Sequence, residues 1–426
     1  MFKPAAAAGR YGTGRPEDRP MPLATRRSLL TGALSAAALA PLAAQAGEPP
    51  HSVMNISDFD ELWRTLDERY CYFGAKATDW RAVRRLYRPQ ALAAQSPEAL
   101  YDVLSAVLRE LYDAHTWAHD APDGAPRLPY FDLWVEPDGA AARITSVRAG
   151  SSAEDAGIRP GDVVHGVDGL AIAEVAAGLA PRCLSRPDPA AAAYALNLAV
   201  SGRVGRPRRL QIRSGDEVRT ALLPLKATPS PPTIEHRRLP SGHGLIAIHS
   251  FAGDDLVEAF DAALLALKDT PGLVLDLRQN GGGDTAIARP IMGRFITEPR
   301  PYARMRRRQG RGLSAAWTEI VEPRGPFTYT APVVVLTSRW SASMAEGFPM
   351  GMKGIGRATV VGTPMMGLGA GVFPLRLDRT GIDVQYSAEP VYDVNDRPRS
   401  LMRPDFEVAP GGDILAAGVA VLLQKG

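Results

Sequence analysis

The stretch TSRWSASMAEGF (Thr337 to Phe348) offers three serines, Ser338, Ser341 and Ser343, just ahead of what reads as a helix. A serine attacks a carbonyl only when a neighbouring base takes its proton, and no histidine or lysine stands within that stretch. Earlier in the chain, LDLRQNGGGD (Leu275 to Asp284) closes an apolar run with three glycines. Such glycines allow close backbone approach and present amides into a cavity. A phosphate loop would end in Lys followed by Ser or Thr, and that pair is missing. Two readings remain. One is a tight turn. The other is an oxyanion hole built from the amide of Gly281 or Gly282 and that of Met344, the residue after Ser343. Histidines available to take a serine proton are His115 and His119 in LYDAHTWAHD and His249 in AIHSF. Cys71 and Cys183 lie far apart, and either a disulfide in an oxidising compartment or two buried thiols is open to them. No His and Cys spacing resembles a metal site, and no cofactor is called for.

The elements that must position these residues fall into an α+β multidomain pattern behind a leader. TRRSLLTGALSAAALAPLAAQAGE places Arg26 and Arg27 before an apolar run and an A-x-A exit at Ala44 and Ala46, which reads as a twin-arginine secretory signal over 1–46. Its removal takes away six basic and two acidic residues and leaves 43 basic against 44 acidic, a net of −1. Nothing in that balance favours nucleic acid, and the apolar run is shorter than the ~20 residues of a membrane span. The expected location is the periplasm or the medium, with no stable membrane insertion after cleavage. Residues 50–122 read as helices, because DFDELWRTLDERY and SPEALYDVLSAVLRELYDAH repeat apolar residues at helical spacing. The second is expected to run from Ser96 to His115. Residues 127–226 read as short strands with turns, KATPSPPT as a linker, and 234–426 as apolar strands alternating with helices. GLIAIHSF, GLVLDLR, APVVVLTS and ATVVG are the strands of a largely parallel, doubly covered sheet.

In the middle segment, ITSVRAGSSAEDAGIRPGDVVHGVDGLAI (Ile144 to Ile172) resembles the heart of a PDZ domain. That resemblance implies capture of peptides or chain ends by strand addition. The carboxylate-binding loop would correspond to PYFDLWV (Pro129 to Val135), which lacks the usual glycines, so a PDZ-like spacer is the other reading.

LDLRQNGGGD, SRWSASMAEG and GRATVVGTPMMGLGAGV together resemble the tail-specific and tricorn-core serine peptidases, over nearly the whole chain after the leader. The resemblance implies a core akin to Clp protease and crotonase, peptide or protein substrates, and Ser343 as nucleophile with Glu346 following. The tail-specific branch takes its base from a lysine about 25 residues on. Leu368 stands there, and no lysine is near. In the tricorn-core branch the base is a histidine of the N-terminal segment, and DAHT places it at His115, with Ala114 where the family has glycine. His119 and His249 are the backups. That branch orients the histidine with a glutamate shortly before Pro-Asp. Ser400 stands at that place in DRPRSLMRPDFEV, leaving Glu389 as the substitute and Asp405 as a second carboxylate. Pro349 also falls inside the expected catalytic helix and predicts a kinked or short one. A peptide-binding protein without activity on the same fold is the alternative to an endopeptidase.

Overall fold

The computed structural model describes residues 51–226 and 231–425; the leader and part of the proline-rich linker lie outside them. Three helices open the described chain, His51–Arg69, Trp80–Ala93 and Pro97–Arg109. Ser96 caps the third by accepting from Ala99 N at 3.1 Å, with Pro97 at the first helical position and Glu98 in the first turn. Phe59, Leu62 and Leu66 pack against Val83, Leu100, Leu104 and Leu108. The same cluster takes in Val384, Tyr386 and Ala388 from far along the chain, so the helical segment shares its core with the C-terminal part.

The third helix stops at Arg109, short of the expected His115. Tyr112 sits at φ 35°, outside helical backbone, and its hydroxyl donates to Asp188 at 2.7 Å. The chain then turns through His115 into the strand Trp117–Ala118, which pairs antiparallel with Gln385 and Val384.

Residues 133–223 form an antiparallel sheet in the order Leu133–Asp138, Ala141–Val147, Val163–Val167, Arg208–Ser214, Glu217–Leu223, with Leu170–Ala171 alongside the third. Helices Ile172–Leu179 and Pro189–Ser201 accompany it, and Val135, Ile144, Val164, Leu210 and Ile212 fill its core. Leu133–Asp138 is an edge strand with Pro189–Ser201 lying along it.

Beyond the linker, six strands lie in the order Phe406–Glu407, Ala358–Gly362, Val333–Thr337, Leu273–Asp276, Gly244–Ile248, Ile234–Arg238. All neighbours are parallel except Ile234–Arg238, which runs antiparallel at the edge. Val333–Thr337 is buried throughout, because one apolar cluster covers each face of the sheet. A second, five-stranded sheet goes beyond the sequence expectation. It joins Trp117–Ala118, Asp383–Tyr392, Arg300–Met305 and Trp317–Val321, with Ala370–Arg376 paired to Asp383–Tyr392. This sheet carries the His115 segment onto the core. Both cysteines are free and buried. Among the described residues no helix is long and apolar enough to cross a membrane.

Candidate active site

The strand Val333–Thr337 delivers the chain into the turn that holds all three serines. Two of them are committed to the fold. Ser341 is fully buried; its Oγ donates to Leu277 O at 2.8 Å and accepts from Ser338 N at 2.9 Å. Ser338 Oγ donates to Arg278 O and accepts from Trp340 N. Ser343 differs from both. It is half-buried and stands at φ 54°, ψ −115°, a backbone region that costs a non-glycine residue of order 1–3 kcal/mol. Directly after it begins the eleven-residue helix Met344–Gly354, which continues through Pro349 and is short, as that proline predicts. The helix N-terminus lends positive potential to the space over the turn.

The turn is anchored from below by Glu346. Its carboxylate is almost fully buried and accepts from the amides of Ser343 (3.0 Å), Leu368 (2.7 Å) and Gly367 (2.9 Å). Burial raises its pKa, against the Arg399 charge and those three amides. Leu368, at the position of the missing lysine, therefore contributes its backbone to this network. The buried cation here is Arg399, whose guanidinium donates to Leu368 O and to Ala370 O at 2.9 Å.

The glycine loop packs directly on the turn. A Cβ on Gly282 would lie 2.8 Å from both Ser343 Cβ and Ala342 O, and the residue sits at φ 107°, so only glycine fits. One expectation needs correcting here. The Gly282 amide already donates to Asn280 Oδ1 at 2.8 Å, so it does not point into an open oxyanion site. The Gly281 and Met344 amides have no acceptor among the described residues. Asn280 is fully buried and locks the loop in place: its Nδ2 donates to Ile248 O, and its carbonyl receives Ala342 N at 3.0 Å. Sequence reasoning passed over it, although it directly precedes the three glycines.

His115 is positioned through its main chain. Asp113 accepts from His115 N (3.0 Å), Thr116 Oγ1 (2.9 Å), Ser387 Oγ (2.8 Å) and Tyr70 OH (3.1 Å), while Gln385 Nε2 donates to His115 O at 3.2 Å. The ring is 4 % exposed, and Nδ1 has no hydrogen-bond partner. Burial lowers its pKa to about 4, with the Asp113 charge opposing and Arg399 adding to the drop. A neutral imidazole at ordinary pH is the form that can accept a proton. The Arg399 charge acts on both His115 and Glu346. No hydrogen bond joins the imidazole to Ser343 among the described residues.

The expected third group is not on His115. Glu389 instead pairs with Arg307, which donates both Nε and Nη2 to Glu389 Oε1. Asp405 accepts from Val360 N and Lys353 Nζ. Ser400 lies beside Gly369 and the Tyr72 hydroxyl, its Cβ 2.9 Å from where a Gly369 Cβ would stand. Of the backup histidines, His249 Nε2 lies 3.8 Å from Glu235 on the outer strands, and His119 flanks Trp117 with ring centroids 5.7 Å apart.

Residues 242–408 match the model of peptidase family S41, and residues 56–109 that of the tricorn protease C1 domain. The chain is 27% identical over 223 residues to the carboxy-terminal processing protease CtpB of Bacillus subtilis, covering 51% of this chain and 42% of the relative. It is 26% identical over 230 residues to a probable CtpA-like serine protease of Staphylococcus aureus, covering 53% and 41%. The match thus spans about two fifths of the length of these relatives. Solved structures of mature CPAF (TM-score 0.59, 16% identity, 88% of this chain and 96% of that one) and of the photosystem II D1 C-terminal processing protease (0.55, 19%, 88% and 97%) share the fold. The S41 region contains the serine turn, the glycine loop and Arg399. His115 lies outside it, in the segment just after the tricorn-type helices.

Proposed function

We propose that the protein is an exported serine endopeptidase of the tricorn-core type. One observation carries this reading: Ser338 and Ser341 each donate their hydroxyl to a backbone carbonyl, whereas Ser343, whose oxygen accepts from the Glu346 amide in a capping box, has no acceptor for its proton among the described residues and holds a strained conformation at a helix N-terminus. Ser343 Oγ attacks the peptide carbonyl carbon while His115 takes the hydroxyl proton. The tetrahedral oxyanion is received by the Gly281 and Met344 amides and the helix N-terminus. Collapse expels the amine, which carries away the proton from His115, and leaves an acyl-serine; water then repeats the sequence and frees the acid. The imidazole must come within hydrogen-bond reach of Ser343 for this, a contact that in many enzymes tightens only when substrate binds.

The chain divides in this reading into a leader over 1–46, a helical part over 50–122, a PDZ-like domain over 127–226 and the catalytic core over 234–426. Substrates are peptides or unfolded protein segments. Export follows the twin-arginine route, so changing Arg26 and Arg27 to lysine should strand precursor in the cytoplasm.

A fluorophosphonate applied to the folded mature protein tests the mechanism. Peptide mapping should find the adduct on Ser343, with labelling and turnover both lost in His115→Ala. An adduct on Ser341, or none, would favour a peptide-binding protein without activity. The unpartnered His115 Nδ1 is the observation on that side.

A further inference from the structure

The domain over 133–223 is placed where a peptide-capturing domain would be, but its edge is occupied. Asn197, 1 % exposed on the helix Pro189–Ser201, donates Nδ2 to Val135 O and accepts Val135 N on Oδ1, both at 2.9 Å. That side-chain amide makes the two bonds a bound strand would make at Val135. Two residues on, Pro137 has no N–H to offer. Just before the strand, Asp132 forms a fully buried ion pair with Arg208, so the loop already contains a carboxylate where a chain-end carboxylate would be received. Three features of one strand close it against addition.

What the strand does contact is the catalytic core. Arg339, four residues before Ser343, lies over the Trp134 ring at 4.4 Å from its centroid, and its Nη2 stands 3.7 Å from Glu136. Trp134 is held in turn by stacking on Tyr130, with centroids 3.8 Å apart. The other arm of the guanidinium donates to Met365 O at 3.3 Å, in the segment that leads to the Gly367 and Leu368 amides held by Glu346. A second contact reaches the glycine loop, where Arg148 Nε donates to Gln279 Oε1 at 3.4 Å. The domain therefore grips both loops that form the site.

We propose that this domain serves the reaction as a brace on the serine turn, with Arg339 as the positioning residue it grips, and that peptide reaches Ser343 without adding a strand to Leu133–Asp138. The proposal rests on the serine-peptidase reading and deepens it. A brace of this kind acts on turnover and leaves substrate affinity alone. Three measurements on the mature full chain test it. Trp134→Ala and Arg339→Ala should lower kcat by roughly 5- to 30-fold with KM within about twofold, and Arg339→Lys should recover part of the loss by keeping a cation over the ring. Glu136→Gln, on an exposed side chain, should act in the same direction more weakly and covers the case in which Trp134→Ala fails to fold. A raised KM with kcat unchanged would overturn the brace and make the domain a binding module. Peptides that differ only in a free or amidated C-terminus should be cleaved with kcat/KM within about threefold of each other; a preference for the free acid of about tenfold or more overturns the closed edge. Hydrogen exchange needs no activity: amides of residues 338–343 should exchange about tenfold or more faster in Trp134→Ala, and an unchanged rate overturns the brace even where the protein neither turns over nor takes the label. Absence of label and turnover beside faster exchange would refute the peptidase reading alone.

Discussion

Acidification is the perturbation that reads His115 most directly. Burial lowers the imidazole from 6.5 to about 4, so between those values the unfolded chain binds a proton that the folded chain refuses. The stability this group contributes is therefore whole above about pH 6.5 and lost as the pH falls toward about 4. Over the full window the loss amounts to about 3 kcal/mol, of which about 2 kcal/mol falls between roughly pH 7 and pH 5. Catalysis shares the sign, since only neutral His115 can take the serine proton. At about pH 5.5 a base with pKa near 4 remains almost wholly active, whereas one near 6.5 would keep roughly a tenth of the plateau. The assay is kcat/KM on a fluorogenic peptide from about pH 3.5 to 8, paired with urea unfolding at the two ends for wild type and His115→Gln. The glutamine variant should lose the His115 part of the pH dependence of stability. An acid limb centred near 6.5, or identical stability profiles for wild type and His115→Gln, would refute the reasoning.

Other substitutions separate structure from chemistry. Ser341→Ala should cost about 1–3 kcal/mol of stability, because it leaves Ser338 N unpaired in the interior and takes one of two donors from Leu277 O, yet the protein should still take a fluorophosphonate at Ser343. Gly282→Ala forces a methyl against Ser343 Cβ and should cut kcat by about a hundredfold or more with the fold intact by circular dichroism, since small misplacements at a reacting centre are expensive. Asn197→Ala strips buried partners from Val135 and from Ala193 O, and thermal unfolding should record a loss of about 2–4 kcal/mol.

The sequence announces its parallel core through apolar runs such as APVVVLTS, because strands covered on both faces must be apolar on both faces. The second sheet left no such trace. Arg300–Met305 and Trp317–Val321 mix arginine and glutamate with partly buried positions, so their period is blurred, and Trp117–Ala118 is too short to show one. In the site, the turn and the helix start were legible from SASMAE and the close approach of the loop from its glycines. Which amide stays free was not, since that depends on Asn280 folding its side chain back onto Gly282. Glu389 failed as the expected partner of His115 because Arg307, 82 residues earlier, takes it. The helix expected to end at His115 ended at Arg109, where Asp188 fixes Tyr112 across 76 residues, a tertiary bond that overrides local pattern. Arg399 was passed over beside Ser400, although a lone arginine that ends up buried marks a charge needing partners.

The short pairing of Trp117 and Ala118 with Gln385 and Val384 bears on timing. It closes a loop of well over two hundred residues, the kind of contact a chain makes late and slowly. The serine turn and its glycine loop lie within one stretch of the polypeptide and can be assembled locally, but the imidazole arrives only when that distant strand docks. In the proposed mechanism, a form in which that strand has not docked has its hydroxyl without its base. In the peptidase reading proposed above, a chain folded short of that contact does not cut, and the competence to cut appears only once the strand docks.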